Sequence, residues 1–395
     1  MRVLAAVLLW LIIAFSIVMM WDQAHWAISI PEIGTFALAS LLLLGCAAGW
    51  QRPEVSPIIL PLLAVALWGL LQMWLGDTVY GWRTKVAVLY WSANLAVFFA
   101  ALQVFANSRA RRGFLDALLV LGFVMAIVSP LQSLDPQAKI FWLIPVPENL
   151  HEVFGPFPYR NQYAAFVELL LPYAIYRAVT SEKRTLIYAL MVAVLYASVI
   201  ASASRMGFFL TTVEMIAVPA LVMWRRGIPF RRVQSGAFFF AAILIMLAVA
   251  AGPNIVASKF SENDPYAGRR EYTEASIAMI KDRPLLGYGL GTWSTVYPEY
   301  ALVDDGLFIN QAHDDWAQWA AEGGLPFMGL MLALALWSVR RGWATGWGLG
   351  VAAVFVHCFV DYPIQRMGVG LVMFTMMAAM ASAEGVGRAD NSKPV

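Results

Sequence analysis

Long apolar runs separated by short polar connections dominate the pattern of this chain. A helix needs about 20 apolar residues to cross about 30 Å of hydrocarbon, and runs near that length recur along the whole sequence. The pattern predicts an all-α polytopic membrane protein with about twelve transmembrane helices. The predicted spans are residues 3–20, 34–50, 57–75, 86–105, 114–131, 160–178, 185–201, 206–223, 235–252, 322–339, 344–360 and 367–384.

Composition indicates the same class of protein. Of the 395 residues, 61% are hydrophobic and 13% are charged, whereas soluble domains carry about 25% charged residues. The net charge of +2 gives no indication of nucleic-acid binding. Cys46 and Cys358 both lie in apolar runs, so the cysteines imply neither a disulfide framework nor a thiolate metal site. No small-residue cleavage pattern follows the first run, which is therefore predicted to be a retained span.

The distribution of charge predicts the orientation of the spans. With the N-terminus inside, the basic clusters at 108–112 and 224–232 both lie on the cytoplasmic side, as the positive-inside rule requires. Both termini are then cytoplasmic. The basic residues left outside could snorkel to lipid headgroups, but as a group they favour an outer cavity that binds an anion. They are Arg83, Lys85, Lys139, Arg160, Arg205, Lys259, Arg269, Arg270, Lys281, Arg283 and Arg366.

The chain divides into five segments on this basis. A connection as long as the one after residue 252 usually folds or carries function. In the shorter outer segment, His151 and Glu152 could serve chemistry, but solvation at the surface is the favoured interpretation. The segments are the N-terminal helices 1–131, the central helices 132–252 with outer segment 132–159, the long outer loop 253–318, the C-terminal helices 319–384 and the tail 385–395.

The long outer loop contains an amphipathic helix and a glycine-rich turn. The helix is predicted over residues 269–280 and ends before Pro284. No Walker lysine follows the glycines and no strand precedes them, so a phosphate-binding loop is not supported. The residues placed toward the apolar side of the helix are Tyr272, Ala275, Ile277 and Met279, and the glycines are Gly287, Gly289 and Gly291.

A second helix of this loop is predicted to begin near His313. Asn310 is its predicted N-cap, which places His313 in the first helical turn, where the helix dipole disfavours the imidazolium. A neutral imidazole can act as a general base. It can equally be a capping or interfacial histidine that is hydrogen-bonded to nearby aspartates, and the residues alone leave both interpretations open.

Four local patterns, in their order, spacing and sidedness, resemble the O-antigen ligase and polymerase superfamily of bacterial membrane glycan transferases. The resemblance covers about residues 150–370. One position departs from the family pattern: Asp314 stands where Asn is expected, which adds negative charge near an anionic donor or helps to orient His313. The patterns are Gly155-Pro156-Phe157 with Arg160-Asn161-Gln162-Tyr163-Ala164; Ser202-Ala203-Ser204-Arg205-Met206-Gly207; residues 282–292 followed by Ala312-His313-Asp314-Asp315-Trp316 and Glu322-Gly323-Gly324-Leu325-Pro326; and His357 with Val360-Asp361-Tyr362-Pro363-Ile364-Gln365.

This resemblance implies a multi-spanning fold of the lipid-donor glycosyltransferase class, GT-C, in the bacterial inner membrane with a periplasmic active site. The family transfers a glycan from an undecaprenyl-diphosphate carrier to a hydroxyl. The acceptor is a lipid A-core sugar in ligases and another glycan unit in polymerases, and some relatives glycosylate protein. A ligase is the favoured interpretation for this chain. The implied partners are the lipid-linked donor, the acceptor and membrane lipids, without a cofactor. A glycolipid transporter or flippase is the alternative from another class, but the chain shows no matching pair of broken spans.

The family patterns also imply roles for individual residues. Arg205 would stabilise the departing diphosphate, because a guanidinium binds phosphate oxygens bidentately. His313 would accept or orient the acceptor hydroxyl proton in a direct displacement that inverts the anomeric carbon. Arg160, Arg269 and Arg270 would complete the diphosphate site, and the supporting residues are Asn161, Asp314, His357 and Asp361.

Other ionisable groups are given lesser roles. His357 and Asp361 could form a pair behind the site, although a structural contact between the last two spans is favoured. No metal is predicted, although the pairs Asp304-Asp305 and Asp314-Asp315 could suggest a divalent cation. Glu168 and Glu214 lie inside spans, where ionisable groups are functional candidates, but neither is predicted to be catalytic.

Overall fold

The computed structural model describes residues 2–135, 139–147, 153–231, 234, 241, 267–302, 306 and 308–390. Within these ranges the named regular elements are all helices, with short 3-10 turns at Tyr297–Glu299 and Pro363–Gln365. The helices are α1 (Arg2–Val18), α2 (His25–Ala47), α3 (Ile59–Leu75), α4 (Gly81–Phe105), α5 (Ser108–Ser133), α6 (Arg160–Thr180), α7 (Thr185–Ser202), α8 (Arg205–Arg226), α9 (Ala267–Asp282), α10 (Trp293–Val296), α11 (Asp315–Thr345), α12 (Leu349–His357) and α13 (Met367–Asp390).

The lengths and apolar character of these helices confirm the predicted all-α polytopic membrane protein. By length and composition α2, α4, α5, α7, α8 and α11 can each cross a membrane, and α1, α3 and the part of α13 up to Ala383 are shorter apolar helices. Large apolar side chains such as Val3, Leu44 and Trp74 are exposed on the outer helices, where hydrocarbon would cover them. The predicted span 235–252 lies almost wholly outside the described residues, and the count of twelve stays a prediction.

One predicted span differs clearly from the helix that forms. Residues 344–360 were expected to cross the membrane, but α12 contains only 9 residues, a length of about 14 Å. The first residues of this predicted span form the tight connection after α11 and are not part of α12. Gly346 has a φ of 75° there, and the close approach of Gly342 to the backbone of Gly348 leaves no room for a side chain.

Helix α6 forms the core of the C-terminal half of the bundle. Every residue from Gln162 to Ile175 is buried, and α5, α7, α8, α12 and α13 pack around it. A helix that is enclosed on all faces needs no polar face of its own. Helix α4 has the corresponding place in the other half, where it contacts α1, α2, α3 and α13. Helix α13 therefore joins the two halves.

Helix α9 of the long loop docks on the end of this bundle. Helix α9 confirms the predicted amphipathic helix, with Ala275 and Met279 buried and the helix packed against α11. The placement of Ile277 on its apolar side was wrong, because Ile277 is exposed. Positions 275 and 277 lie about 200° apart around a helix, so they cannot share one face.

Candidate functional site

The site is built around the start of α11. Asp314 is the N-cap of this helix, and its side chain accepts a hydrogen bond from the Ala317 amide at 3.0 Å. The prediction that Asn310 caps the helix and that His313 lies in its first turn was therefore wrong. His313 precedes the cap and has a φ of +53°, a left-handed conformation that is uncommon for residues other than glycine. Such strained residues cluster at functional sites.

Asp361 connects the residues that the sequence patterns singled out. Its Oδ1 lies 3.5 Å from His313 Nδ1, and its Oδ2 lies 3.6 Å from Arg269 Nη2. Asn161 donates a side-chain hydrogen bond to the same Oδ2. Arg269 also donates to the carbonyl of Val360 at 2.5 Å. Residues from α6, α9, the turn before α11 and the turn after α12 thus meet at one carboxylate.

The setting of Asp361 keeps it charged. Its side chain is only 4% exposed, and this burial raises its pKa. The neighbouring His313 imidazole and Arg269 guanidinium lower the pKa by more, so that it lies well below the ordinary aspartate value. A carboxylate facing Nδ1 favours the proton on that nitrogen and leaves Nε2 as the basic atom. The 3.5 Å separation is long for a hydrogen bond, so the link is mainly one of charge.

Asp314 differs from Asp361 in this respect. Burial raises its pKa, and the hydrogen bonds from the backbone amides of Ala317 and Trp316 oppose that change. Its carboxyl group is used at the helix N-terminus, where a cap normally contributes about 1 kcal/mol. The supporting role expected for Asp314 is therefore one of fixing the start of α11, directly after His313.

A pocket of about 310 Å³ opens beside this network and is called the arginine pocket below. It contains two of the predicted diphosphate-binding arginines together with the histidine. Because the arginines come from α9 and the histidine from the turn before α11, the docking of these two helices creates the pocket. Its lining residues are Arg269, Arg270, Thr273, Glu274, His313, Phe359 and Val360.

Arg160 and Arg205 lie at the first positions of α6 and α8. These two helices pack side by side, and a side-chain carbon added at Gly207 would come within 2.3 Å of Ala164. Ser204 caps α8 by accepting a hydrogen bond from the Gly207 amide at 3.2 Å. Both arginines are half-buried at the same end of this helix pair. Neither is among the described residues that line the arginine pocket.

His357 does not pair with Asp361. Its Nδ1 lies 2.8 Å from Glu168 Oε1, and both side chains are fully buried between α12 and α6. Glu214 is buried on α8, and within the described part of the chain neither of its carboxyl oxygens has a hydrogen-bond partner. The structure thus separates a half-buried group around Asp361 from a fully buried histidine–glutamate pair.

The glycine-rich stretch is held by a carboxylate inside the protein. Glu322 accepts hydrogen bonds from the amides of Gly291 at 2.8 Å and Trp293 at 3.1 Å. Gly287, with a φ of +65°, approaches the Ala321 carbonyl so closely that an added side-chain carbon would lie 2.5 Å from it. Amides that a phosphate loop would direct at its ligand are here occupied by Glu322, which agrees with the rejection of a phosphate loop.

The remaining candidates are placed as follows. His151, Glu152, Asp304 and Asp305 lie outside the described residues. Within the described part of the chain, no three histidine, cysteine or acidic side chains come together as metal ligands. Sequence reasoning missed Tyr362, whose ring meets that of His313 edge-on with centroids 4.8 Å apart. Its position next to Asp361 in the fourth pattern was the only available signal.

The fold and the site together define an integral membrane protein with a histidine, an aspartate and arginines gathered at one end of a helical bundle. Residues 173–334 match the family model described as O-antigen ligase. The match supports the O-antigen ligase superfamily and agrees with the second and third of the four patterns, which lie inside it, whereas the first and fourth lie outside it. Members of this family are glycosyltransferase-like enzymes, either ligases or polymerases. No curated protein matches the chain significantly.

The matched segment covers less than half of the chain but includes most of the arginine pocket. Arg205, Arg269, Arg270, His313 and Asp314 fall inside it, whereas Asn161, His357 and Asp361 lie beyond its ends. The folded chain brings Asn161 and Asp361 to the matched residues, because the start of α6 and the turn after α12 both lie beside His313. A local sequence match and a contact network therefore converge on one site.

Proposed function

We propose that this protein transfers a glycan from an undecaprenyl-diphosphate carrier to a hydroxyl of an acceptor, with a lipid A-core sugar as the favoured acceptor. The observation that carries the proposal is the arginine pocket, where two guanidinium groups and an imidazole backed by a carboxylate face one cavity. Diphosphate is a good leaving group, so the reaction needs stabilisation of charge at the departing oxygens more than a strong acid. Arginine suits that task, since it stays charged and binds phosphate oxygens bidentately.

The proposed reaction is a direct displacement. The acceptor oxygen attacks the anomeric carbon, the bond from that carbon to the diphosphate oxygen breaks, and the hydroxyl proton passes to His313. The product carries the inverted configuration at the anomeric carbon. Arg269 and Arg270 would stabilise the diphosphate that leaves, with Arg205 and Arg160 extending the site along the lipid-linked donor. Removing one such preorganised donor typically costs about 3 kcal/mol of transition-state stabilisation.

The reaction is proposed to need no metal or cofactor. It is placed on the periplasmic face of the bacterial inner membrane, with both chain termini in the cytoplasm and a GT-C type of fold. Asn161 and Asp361 would keep Arg269 and His313 in position, while Asp314 would fix the start of α11. His357 is assigned to the buried pair with Glu168, where it would support the packing of α12 on α6.

The test is transfer by purified protein in lipid nanodiscs with undecaprenyl-diphosphate glycan, lipid A-core and EDTA. We expect transfer by the wild type and a loss on the order of 10²–10⁴ in rate for His313→Ala, the usual effect of removing a general base. Arg269→Ala should be similarly impaired. The matched control is Arg340→Ala, an exposed arginine at the other end of α11, which should retain full activity.

The outcomes separate the alternatives. Elongation of the donor glycan without transfer to lipid A-core would make the protein a polymerase, and transfer to a protein acceptor would make it a protein glycosyltransferase. Movement of the donor across the membrane of sealed vesicles without any glycan transfer would refute the proposal and support the transporter alternative. Full activity of His313→Ala would remove His313 from the mechanism.

A further inference from the structure

A second cavity lies on another side of the turn that carries His313. It has a volume of about 210 Å³ and is lined by the end of α1, the start of α2, the start of α4, the turn before α11 with the first turns of that helix, and the segment after Asp361. Asn310 and Gln311 line this cavity, whereas His313 lines the arginine pocket. A segment of four residues therefore borders both cavities, and no role has yet been given to the second one.

The polar lining of this cavity is rich in side-chain amides. Gln23, Asn310, Gln311, Gln318 and Gln365 all contribute to its wall, and it is called the amide pocket here. Each amide offers two N–H donors and one carbonyl acceptor, which matches a ligand that presents several hydroxyls. Only part of this capacity is used internally: Gln318 Nε2 donates to Gln311 Oε1 at 2.6 Å and to Glu322 Oε1 at 3.0 Å.

Glu32 supplies an independent indication of a ligand. It lies on α2, lines the amide pocket and is only 7% exposed. Among the described residues, none hydrogen-bonds to its carboxyl group, although its backbone carbonyl accepts from the Thr35 hydroxyl. Because Glu32 lines the pocket, its carboxyl group can accept a hydrogen bond from a ligand hydroxyl there.

Arginine and aromatic side chains complete the wall. Arg366 lies over the ring of Tyr362 at 5.3 Å, and its Nε is buried and has no hydrogen-bond partner among the residues that the structure describes. Trp91 and Trp319 also line the pocket and offer apolar surface to the C–H groups of a sugar ring. Tyr362 contacts Arg366 in this way and His313 by its ring edge, so one tyrosine joins the amide pocket to the proposed base.

We propose that the amide pocket binds a sugar unit of the hydroxyl acceptor and directs its hydroxyl toward His313, an assignment that rests on the proposed transfer function. Three acidic side chains, Asp22, Glu32 and Glu322, line the pocket together with two arginines, Arg83 and Arg366. The excess of carboxyl groups disfavours the diphosphate end of the donor. The arginine pocket has two adjacent arginines for that group. At about 210 Å³ the pocket is smaller than the roughly 300–1,000 Å³ of drug-sized sites, so it takes one sugar unit rather than several.

The test measures acceptor and donor dependence separately in the nanodisc transfer assay. Glu32→Ala should raise the KM for the acceptor about tenfold to a hundredfold, the range for a lost hydrogen bond to a charged group. The KM for the donor should stay within about twofold. Glu32→Gln keeps the size and one acceptor atom, so its effect should be smaller. Glu54→Gln, an exposed glutamate after α2, is the matched control and should behave as wild type.

A binding measurement covers variants that turn over too slowly to analyse. Lipid-free acceptor oligosaccharide should change the tryptophan fluorescence of His313→Ala, because Trp91 and Trp319 line the pocket, and His313→Ala with Glu32→Ala should lose that response. An unchanged acceptor KM in Glu32→Ala, or a rise in the donor KM instead, would overturn the assignment. Failure of the wild type itself to transfer would instead refute the proposed function.

Discussion

At the scale of single residues, the Asp361 carboxylate joins the candidate site, because His313, Arg269 and Asn161 all lie against it. His313 and Asn161 stood in family patterns and Arg269 among the outer basic residues, and the structure brings all three to the Asp361 carboxylate. The left-handed backbone of His313 could not be predicted, because its neighbours on both sides suggested a helix. A backbone φ of +53° is stabilised only by contacts that are distant in sequence, here those of Asp361 and Tyr362.

Replacing Asp361 by asparagine tests whether its charge orients His313. Asp361→Asn keeps the size of the side chain but removes the charge that faces His313 and Arg269, so we expect a rate loss on the order of 10²–10⁴. Asp116→Asn is the matched control, because Asp116 pairs with Arg177 on the predicted cytoplasmic side and should leave the rate per folded molecule nearly unchanged. Equal losses in both variants would contradict an orienting role.

The same variant has a defined effect on stability. Because the pKa of folded Asp361 lies below the ordinary value, its charge stabilises the folded state fully above about pH 4. The stabilisation is lost as the pH falls through the lower folded pKa. The difference in unfolding free energy between wild type and Asp361→Asn should therefore shrink as the pH falls below about 4. Unfolding in detergent followed by tryptophan fluorescence measures it.

At the scale of elements, periodicity predicted most helices well and failed where tight connections interrupt them. Helices α3, α6 and α7 begin and end within two residues of the predicted spans. The span expected at 344–360 is shorter because Gly346 and Gly348 form a turn inside an apolar run, and hydrophobicity alone does not reveal a turn. Helix α11 shows the opposite case, since the predicted loop helix and the predicted span follow each other directly and only a kink at non-helical Gly324 separates them.

Gly324 is the position where α11 changes direction. Its φ of 75° and ψ of 175° belong to a region that is essentially restricted to glycine. An added side-chain carbon would lie 2.2 Å from the carbonyl oxygen of Leu285. Gly324→Ala should therefore destabilise the protein by about 1–3 kcal/mol or more and displace the part of α11 that carries the site.

A second glycine of α11 provides the control. Gly329 has open space around its Cα, so Gly329→Ala should be neutral or stabilise the helix by about 0.5–1 kcal/mol. Both variants can be compared by thermal unfolding in detergent and by transfer activity per folded molecule. A stable, fully active Gly324→Ala protein would show that the kink has no part in building the site.

At the scale of the whole molecule, the site occupies one end of the bundle. The start of α6, the start of α8, the start of α13 and the loop helix α9 all lie at the end that the charge distribution places outside the cytoplasm. The cluster of Arg177 with Asp116 and the basic residues at the end of α8 lie at the other end. The predicted orientation bears on the proposed function, because a donor that is used at the outer face must first be carried across the membrane.

This orientation is testable with two matched cysteine substitutions. Lys281 is exposed at the end of α9, and Lys183 is exposed in the turn between α6 and α7. In a background without Cys46 and Cys358, a membrane-impermeant maleimide should label Lys281→Cys in intact spheroplasts and Lys183→Cys only after permeabilisation. Basic residues in and near short loops set the orientation of a membrane protein. Lys183 and Arg184 lie in such a loop, and Arg177 lies in the last turn of α6 beside it. Labelling in the reverse order would place the arginine pocket in the cytoplasm, where an acceptor at the outer face could not reach His313.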